Sequence, residues 1–510
     1  MTDQTALDDR PQTTAAVRLT DLATLVGAVS PDLADVPVTG LTLASTAVRP
    51  GDLYAALPGA RTHGARYAAD AVAAGAVAVL TDPAGADACA DLGVPLLVVD
   101  DPRRLLGTVA SAVHDHPSRR LRTIGVTGTQ GKTTTTQLAQ AALRAAGAVP
   151  AVVGTLGTRV DGRPVRSALT TPEAPALHAL LGVMVEQGVD VLTMEVSSHA
   201  LVQGRVDGVV FDAAVFLNLG RDHLDFHPSV EDYYLAKASL FTPEHASRAV
   251  VNVDDEHGRR LAASTTLPVT TIAVRGDADW TARDLRPEPA STSARLHGPE
   301  GVELDLVVPL PGDFNVLNAL AVVAALDAVG LDPALAVRGL AASPGVPGRM
   351  EAVDEGQPFA AFVDYAHKPD ALAAVLRAVR PTTTGRVVVV IGAGGDRDTG
   401  KRPLMGRVAA ELADLVVVTD DNPRSEDPAL IRAEVLAGAR EAGTAAEVVE
   451  ATDRASAIAT AVRAARPGDC VVVAGKGDET GQDVGGVVHP FDDRVVLRDA
   501  LRSLDDGGAA

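Results

Sequence analysis

The sequence predicts an α/β protein of three domains with mostly parallel sheets. Its 510 residues are too many for one ordinary domain. Strand-like and helix-like segments alternate along the whole chain, as parallel α/β layers require. A composition of 46% apolar and 22% charged residues is typical of a folded enzyme and not of a disordered chain.

Shifts in composition divide the chain into blocks. Residues 1–14 and 505–510 are polar and are expected to be disordered. The first domain is predicted over 15–118, the second over 119–346, where it ends in a Pro/Gly-rich stretch, and the third over 347–510. The third domain is predicted to be Rossmann-like, with buried strands at 361–364, 386–391, 415–420 and 470–474.

The bulk properties exclude several classes of protein. A net charge of −21 argues against nucleic acid or an anionic membrane as a partner, because binding to either depends on Lys and Arg. No apolar run reaches the roughly 18 residues that span a bilayer, and the N-terminus is not a secretory signal. Cys89 and Cys470 are too few for a disulfide framework or a cysteine metal site. We expect a monomer in the cytoplasm.

Lysine is rare in this chain, with five among 45 basic residues. Lys is a compact ammonium that can be modified, whereas Arg is a planar fork, so the remaining lysines are candidates for positions that Arg cannot fill. Chance is the alternative for any single one. All five lie in or beside Gly-rich or His-containing segments: Lys132, Lys237, Lys368, Lys401 and Lys476.

A phosphate-binding loop follows the predicted strand 121–126. Gly128 and Gly131 allow backbone N–H groups to turn toward phosphate oxygens, and the helix predicted to run through residue 146 adds its N-terminal partial charge. Lys132 is placed to reach the β- and γ-phosphates, and Thr133 to ligate Mg²⁺. Val126 stands where the generic motif has its first Gly, so this is a short form of the loop. The sequence predicts ATP binding.

Two further strands end in groups suited to a metal. The strand from residue 191 ends at Glu195, where a P-loop enzyme places an acidic Mg²⁺ ligand. The strand at 214–219 is followed by His223. A structural histidine is the alternative for His223, and two such strand ends after one phosphate loop favour a metal site.

An ordered series of segments resembles the Mur ligases, and within them the UDP-N-acetylmuramoyl-tripeptide synthetase branch. The resemblance covers about residues 40–495. It is carried by GTQGKTT, TTPEAP, MEVSSHAL, LNLGRDHLDFH, YYLAKASLF, GRMEAV, VDYAHKPDAL, GAGGDRDTGKRPLM, DDNPR and AGKGDETGQ.

The resemblance implies an ATP-dependent ligase of peptidoglycan precursor synthesis, and thus of cell wall biogenesis, cell shape and cell division. ATP phosphorylates the terminal carboxylate of UDP-N-acetylmuramoyl-L-alanyl-D-glutamate, and the amine of an amino acid then displaces phosphate. Two Mg²⁺ ions are implied. Lys132, Thr133 and Glu195 fit the first ion and the γ-phosphate, and His223 fits the second. Lys237 aligns with a lysine that the family carries as a carbamate, an anion able to ligate Mg²⁺; a plain helix-surface lysine is the alternative.

The resemblance also assigns binding residues. Asn315 and Asn318 could instead be helix-cap and turn residues. For ATP the residues implied are Gly128, Thr129, Gln130, Gly131, Lys132, Thr133, Thr134, Asn315, Asn318, Arg349, Asp364, Tyr365 and His367. For the UDP-muramoyl dipeptide they are Leu43, Ser45 and Thr62 (in the turn 59–62) in the first domain, and Thr170, Thr171, Ser197, Gln203 and Arg205 in the second.

The segment 420–424, Asp-Asp-Asn-Pro-Arg, follows a predicted strand at the sheet edge where α/β proteins bind ligands. The distal end of meso-diaminopimelate is a zwitterion whose carboxylate suits an Arg fork, whereas lysine presents an ammonium alone. A turn with an incidental Arg is the alternative. The residues implied for diaminopimelate are Arg397, Asp421, Asn422, Pro423, Arg424, Gly475 and Glu479.

The sequence departs from the family pattern at three places. Gln130 stands for the usual Asn, Asp478 for the usual His, and Ala44-Ser45-Thr46 for the usual Asp-Ser-Arg. Four alternative functions remain open at this point. A purely binding or scaffold role is disfavoured because it would not need Glu195, His223 and Lys237 together. A lysine-adding ligase is disfavoured by Arg424, and a folylpolyglutamate synthase by the uridine block and the 420–424 segment. A P-loop switch or motor ATPase would not need Lys237.

Overall fold

The computed structural model describes residues 6–28, 33–59, 61–165, 169–223 and 226–506. The chain forms two compact units, Met1–Thr271 with Val323–Pro333, and Ile272–Val322 with Ala334–Ala510. The predicted α/β class with mostly parallel sheets is confirmed. The predicted domain boundaries stay predictions.

The expectation of disorder over residues 1–14 is wrong for residues 6–14. Leu7 forms an isolated bridge with Val165. The guanidinium of Arg10 lies 2.7 Å from the carboxylate of Asp52, which is buried. These partners are far away in sequence, so the polar local composition gave no sign of them. Residues 1–5 lie outside the described residues.

The N-terminal part of the first unit contains a parallel sheet of order β3-β4-β5-β6 and a short antiparallel pair, β1-β2. Asp82 and Asp101 begin α3 and α4 by accepting backbone N–H groups, each followed by a Pro. The strands are β1 Val17–Arg18, β2 Pro37–Val38, β3 Gly40–Thr42, β4 Asp52–Ala56, β5 Ala78–Thr81 and β6 Leu96–Val98, and the helices are α1 Leu19–Leu25, α2 Ala68–Ala73, α3 Pro83–Cys89 and α4 Pro102–Val113.

The rest of the first unit is built on strands in the order β10-β9-β8-β11-β7-β12-β13, of which β8, β11, β7, β12 and β13 run parallel. The sequences of these five strands are mostly apolar because the strands are buried on both faces of the sheet. The strands are β7 Arg122–Thr127, β8 Pro150–Gly154, β9 Gly157–Val160, β10 Arg163–Val165, β11 Val191–Glu195, β12 Ala213–Phe216 and β13 Ala249–Asn252. The helices are α5 Lys132–Ala145, α6 Ala174–Glu186, α7 Ser198–Val202, α8 Val230–Ala238 and α9 Glu256–Ser264.

The division into units falls within β14, Val269–Ala273, and within α10, Asp313–Ala328. In the second unit an antiparallel set follows, β15 Trp280–Pro287, β16 Thr292–His297 and β17 Glu303–Val308. Helix α11 spans Pro333–Ala341.

The C-terminal part of the second unit is a Rossmann-like sheet of order β18-β19-β23-β20-β21-β22 with an added hairpin, β24-β25. Strands are present at all four predicted places, whereas β18, β22 and the hairpin were not predicted. The strands are β18 Glu351–Ala352, β19 Ala360–Asp364, β20 Val387–Ile391, β21 Leu415–Val418, β22 Glu447–Glu450, β23 Cys470–Ala474, β24 Gly481–Val484 and β25 Val487–Pro490. The helices are α12 Pro369–Val379, α13 Lys401–Leu412, α14 Pro428–Glu441, α15 Arg454–Ala464 and α16 Asp493–Asp506.

Helix α16 continues to Asp506, and the expected disorder of the tail stays a prediction. Residues 507–510 lie outside the described residues. Among the described helices, none is long and apolar enough to cross a bilayer.

Candidate functional site

Three strand ends meet at one edge of the sheet in the first unit. Glu195, the last residue of β11, lies beside Val126 of β7, and Phe216, the last of β12, lies beside Thr127. The segments after these strands therefore emerge next to one another, at the carboxyl edge where α/β sheets bind ligands. The phosphate loop follows β7, and the segment leading to His223 follows β12.

The phosphate loop enters α5 through glycines with positive φ. Gly131 has φ +88° and is the residue before the helix, a conformation that is strained for other residues. The ammonium of Lys132 donates to the carbonyl oxygens of Gly128 at 2.7 Å and Thr129 at 3.4 Å. Its charge therefore lies over the loop, beside the first turn of α5, where backbone N–H groups lack an intrahelical acceptor.

Asn218, which the sequence analysis did not single out, holds the tip of the loop. Its side-chain oxygen accepts the N–H of Gln130 at 2.9 Å, and its side-chain amide donates to the Gln130 carbonyl at 3.2 Å. Its main-chain oxygen accepts the N–H of Thr129 at 3.0 Å. Since these bonds use the backbone of Gln130, the longer side chain at this position is compatible with the loop conformation.

Lys237 of α8 lies beneath the same loop. Its side chain is 1% exposed, and its ammonium donates to the Gly128 carbonyl at 2.9 Å and lies 4.5 Å from the ring centre of Tyr233. Two ammonium groups, those of Lys132 and Lys237, thus share one carbonyl oxygen, which is electrostatically unfavourable. The Tyr233 hydroxyl is 3.2 Å from Thr129 Oγ1, and burial raises the pKa of Tyr233.

The carboxylate of Glu195 is buried at the end of β11. It accepts the N–H of Thr155 at 2.8 Å and the Thr155 hydroxyl at 3.3 Å. Gly154 permits this position, because a Cβ there would lie 2.3 Å from the carboxylate oxygen. The main-chain oxygen of Glu195 accepts the hydroxyl of Thr171 at 2.9 Å, which links the predicted metal ligand to a predicted substrate residue.

His223 lies after β12 with φ +52°, and its side chain is 43% exposed. Its Nε2 is 3.0 Å from the carboxylate of Asp222, and its ring centre is 4.8 Å from that of His199. Residues 224 and 225 lie outside the described residues.

The fit of Mg²⁺ to this edge depends on Lys237. Within the described part of the chain, no three His, Cys, Asp or Glu side chains are grouped to hold a metal. The predicted ligands include two such side chains, Glu195 and His223, together with the Thr133 hydroxyl. Mg²⁺ prefers oxygen ligands, so the set suits it when Lys237 carries an oxygen-bearing carbamate.

The predicted dipeptide residues form a connected network. The Arg205 guanidinium donates to the Thr171 carbonyl at 3.2 Å and lies 2.9 Å from the Glu173 carboxylate, which the sequence analysis missed. Thr170 Oγ1 is 3.5 Å from Thr155 Oγ1. Thr171 thereby joins Arg205 to Glu195.

The remaining predicted substrate residues lie at element ends. Ser197 begins α7 by accepting the Ala200 N–H at 3.2 Å, and Gln203 ends that helix. In the N-terminal part, Leu43 packs against the apolar core, Ser45 begins a short 3₁₀ helix and Thr62 is exposed. Residue 60 of the predicted uridine turn lies outside the described residues.

In the second unit, Asn315 and Asn318 lie near the start of α10 and are buried. The Asn315 amide donates to the Pro311 carbonyl at 2.8 Å, and the Asn318 amide donates to Asn315 Oδ1 at 3.3 Å. These contacts are the ones expected of structural asparagines, while the adenine role stays a prediction.

Arg349 is held between an aromatic ring and a carboxylate. Its guanidinium lies 4.1 Å from the ring centre of Tyr365 and 3.7 Å from Asp478. The departure at Asp478 thus supplies a partner for Arg349, and burial raises the pKa of the Asp478 carboxyl. Asp364 accepts two backbone N–H groups at 2.7 and 2.8 Å, and burial raises its pKa as well.

His367 is half-buried, and its imidazole is neutral at pH 7. Burial, with the charges of Lys368 and Lys401, lowers its pKa to about 4. Its Nδ1 donates to the Tyr365 carbonyl at 2.8 Å, which places its neutral acceptor on Nε2. The Lys401 ammonium donates to the His367 carbonyl at 3.0 Å.

The segment 420–424 is fastened to the hairpin β24-β25. Arg424 has φ +52°, its N–H donates to the Asp483 carbonyl at 3.0 Å, and its carbonyl accepts the Gly485 N–H at 2.6 Å. Its guanidinium donates to the Gly395 carbonyl at 2.6 Å. Arg397, the other predicted cation, is exposed.

The other predicted diaminopimelate residues converge on a buried lysine. The Asn422 amide donates to Glu479 at 2.9 Å, and the Lys476 ammonium contacts both. A Cβ on Gly475 would lie 2.6 Å from the Asp421 carboxylate, so these two residues pack closely. The main chain of Pro423 packs against Gly395. The rarity of lysine singled out Lys476, but no motif indicated its contacts.

Three domain families match: Mur ligase family, catalytic domain, over residues 37–114; Mur ligase middle domain over 126–326; and Mur ligase, glutamate ligase domain over 348–477. Together with the relatives below, these matches show that the chain belongs to the Mur ligase family, as predicted.

Three relatives cover most of the chain. The UDP-N-acetylmuramoyl-L-alanyl-D-glutamate–2,6-diaminopimelate ligase of Streptomyces avermitilis is 54% identical over 97% of this chain and 98% of the relative. The ligase of the same name from Corynebacterium glutamicum is 50% identical over 88% of this chain and 89% of its own length. A solved structure of a ligase with this name is 33% identical, with a TM-score of 0.70, and covers 96% of this chain and 100% of that one.

Proposed function

We propose that the chain is the ATP-dependent ligase that adds meso-2,6-diaminopimelate to UDP-N-acetylmuramoyl-L-alanyl-D-glutamate. The observation that carries the proposal is 54% identity, over nearly the full length of both chains, to a ligase of that name. A folylpolyglutamate synthase is disfavoured, since the match includes the N-terminal part and the 420–424 segment.

The reaction has two steps that use the first-unit site. The γ-phosphoryl group of ATP passes to the terminal carboxylate of the dipeptide, which yields ADP and an acyl phosphate. The amine of diaminopimelate then attacks the acyl carbon, the C–O bond to phosphate breaks, and the nitrogen loses a proton. Lys132 and the N-terminus of α5 offset the charge on the transferred group, and Arg205 with Thr171 orients the substrate.

Mg²⁺ fits this edge through Thr133, Glu195, His223 and a carbamate on Lys237, and we infer two ions. When bound, the ions neutralise phosphate oxygens. The geometry supports the carbamate: addition of CO₂ to the neutral amine with loss of a proton removes the unfavourable pair of ammonium groups at Gly128. The modified nitrogen keeps one N–H, which suffices for the existing bond to the Gly128 carbonyl.

The choice of diaminopimelate over lysine is supported by Arg424. Its guanidinium donates to the Gly395 carbonyl, and Asn422 of the same segment contacts the carboxylate of Glu479, so a cation and an anion are available for a distal zwitterion. A ligand with a distal ammonium alone leaves Arg424 without its carboxylate. Because the reaction uses ATP, we expect the enzyme to act in the cytoplasm. Its monomeric state stays a prediction.

The test is identification of the product. Incubation with ATP, Mg²⁺, UDP-N-acetylmuramoyl-L-alanyl-D-glutamate and meso-diaminopimelate is expected to yield ADP, phosphate and a nucleotide heavier by one diaminopimelate residue. Omission of either substrate is expected to stop phosphate release. Steady ATP hydrolysis with both substrates omitted supports a P-loop switch ATPase instead and overturns the proposal.

A further inference from the structure

Lys476 is a fully buried cation in the C-terminal part of the second unit. Its side chain is 0% exposed, and its ammonium donates to Asn422 Oδ1 at 3.0 Å and to Glu479 Oε2 at 2.9 Å. Burying an ammonium is costly unless it is paired and hydrogen-bonded. The bonds to Asn422 and Glu479 therefore offset the cost of burying Lys476.

The ammonium fixes the orientation of the Asn422 amide. Asn422 Oδ1 accepts both from Lys476 and from the Asp483 N–H at 3.0 Å, and its Nδ2 donates to Glu479 Oε2 at 2.9 Å. A flipped amide would direct its NH₂ group at two donors and its oxygen at a carboxylate. Lys476 therefore determines which face of Asn422 is a donor and which is an acceptor.

The same ammonium offsets the charge of Glu479. The Glu479 side chain is 36% exposed, so this carboxylate contacts the buried ammonium and is also accessible to solvent. Its ammonium is the cation that directly contacts the Glu479 carboxylate, so removal of Lys476 takes away that partner and lowers the net charge of the site by one.

We propose that Lys476 is a positioning and specificity-determining residue for the incoming amino acid. Its ammonium orients Asn422 and offsets the charge of Glu479, so that the site holds a distal zwitterion better than a distal ammonium. This inference rests on the proposed function. Loss of the charge makes the site more negative by one charge, which favours an amino acid with a distal ammonium, such as L-lysine.

The test uses two variants that separate charge from geometry. Lys476→Met removes charge and donor, whereas Lys476→Gln removes the charge but keeps an N–H donor for Asn422. Arg407→Met is the matched control, since it removes a cation of the same unit from an exposed pair with Glu441. Initial rates of phosphate release are measured with meso-diaminopimelate and with L-lysine, and each variant is checked by thermal unfolding.

For Lys476→Met we expect kcat/KM for diaminopimelate to fall by more than about 10-fold, and its ratio to that for lysine to fall by about 10-fold or more, since a lost charge pair is worth at least that much. The KM for ATP stays unchanged. Lys476→Gln is expected to show the same change in ratio with a smaller rise in KM, and it carries the test if Lys476→Met does not fold.

An unchanged diaminopimelate-to-lysine ratio in Lys476→Gln, with Arg407→Met behaving like the wild type, overturns the role of Lys476. That result is distinct from failure of the proposed function. The latter appears as wild-type protein that makes no diaminopimelate-containing product.

Discussion

Among single residues, Gly128 joins two of the predicted catalytic side chains. Its carbonyl oxygen accepts hydrogen bonds from the ammonium groups of both Lys132 and Lys237. Lys132 follows from the loop motif alone. The burial of Lys237 does not, because its neighbours on α8 give no apolar face that predicts it. Its placement under the loop depends on the contact with Gly128, 109 positions away in sequence, while Tyr233 lies one helical turn before it on α8.

Lys237→Ala is expected to lower kcat by at least about 100-fold, because the proposed carbamate on this side chain supplies an oxygen ligand for Mg²⁺. Acetate or another short-chain acid is expected to restore part of the rate. Lys237→Arg is the matched control, since it keeps a cation but cannot carry a carbamate, and it is expected to be as inactive as Lys237→Ala without rescue. Full activity of Lys237→Ala in the phosphate-release assay would show that the carbamate role is wrong.

Arg424→Ala is expected to weaken the affinity for diaminopimelate by about 2–5 kcal/mol, because the distal carboxylate loses its cationic partner. The KM for diaminopimelate reports the loss, while the KM for ATP stays near that of the wild type. Arg424→Lys keeps the charge without the fork and is expected to lie between the two. An unchanged KM for diaminopimelate in Arg424→Ala refutes the assignment.

At the scale of elements, α4 and α6 of the first unit meet through buried histidines that sequence patterns do not distinguish from exposed ones. His178 of α6 donates from Nε2 to the Asp207 carbonyl at 3.0 Å, and burial lowers its pKa to about 4. Burial lowers the pKa of His114, which follows α4, to about 3. Gly107 of α4 permits the approach, since a Cβ there would lie 2.2 Å from the Asp207 carbonyl oxygen.

These histidines predict a loss of stability in acid. A histidine whose folded pKa is lowered contributes stability that is fully present above its unfolded pKa of about 6.5, and this contribution is lost as pH falls toward the folded value. For His178 the window is about 6.5 to 4. From pH 7.5 to 5.0 we expect His178 alone to cost about 2 kcal/mol of unfolding free energy.

His178→Gln is the variant that tests this prediction, because Gln keeps a donor for the Asp207 carbonyl but does not titrate. Urea unfolding at pH 7.5 and 5.0, with hydrogen exchange of α6 as a local readout, is expected to show a smaller pH effect than in the wild type. His489→Gln, at an exposed position, is the control. An equal pH effect in His178→Gln and the wild type is the contrary result.

The hairpin β24-β25 is the element that the sequence predicts least well. Its apolar residues are exposed, including Val487 at 57% and Val488 at 68%, so no buried face marks it as a pair of strands. Its place is set by bonds to Asn422 and Arg424, from Asp483 and Gly485. Those bonds join residues about sixty positions apart, which local patterns do not reveal.

At the scale of the whole molecule, alternation of strands and helices predicts the α/β class, and apolar runs predict four C-terminal strands to within two residues at each end. The phosphate loop, Glu195 and the 420–424 segment can also be picked out from the sequence, and the roles assigned to them stay predictions. Contacts between residues far apart in sequence cannot be predicted in this way. Examples are the contacts of Arg10 with Asp52 and of Lys476 with Asn422. Ion pairs and buried polar networks form between segments, and neither periodicity nor composition records them.

As a diaminopimelate ligase, this chain joins meso-diaminopimelate to UDP-N-acetylmuramoyl-L-alanyl-D-glutamate with hydrolysis of ATP to ADP and phosphate. The most direct test compares kcat/KM for meso-diaminopimelate and L-lysine by phosphate release, with ATP and the dipeptide nucleotide saturating. A site built around Arg424 is expected to prefer diaminopimelate by at least about 100-fold, because lysine leaves the half-buried Arg424 guanidinium without a carboxylate partner. Equal or faster turnover with lysine contradicts the account.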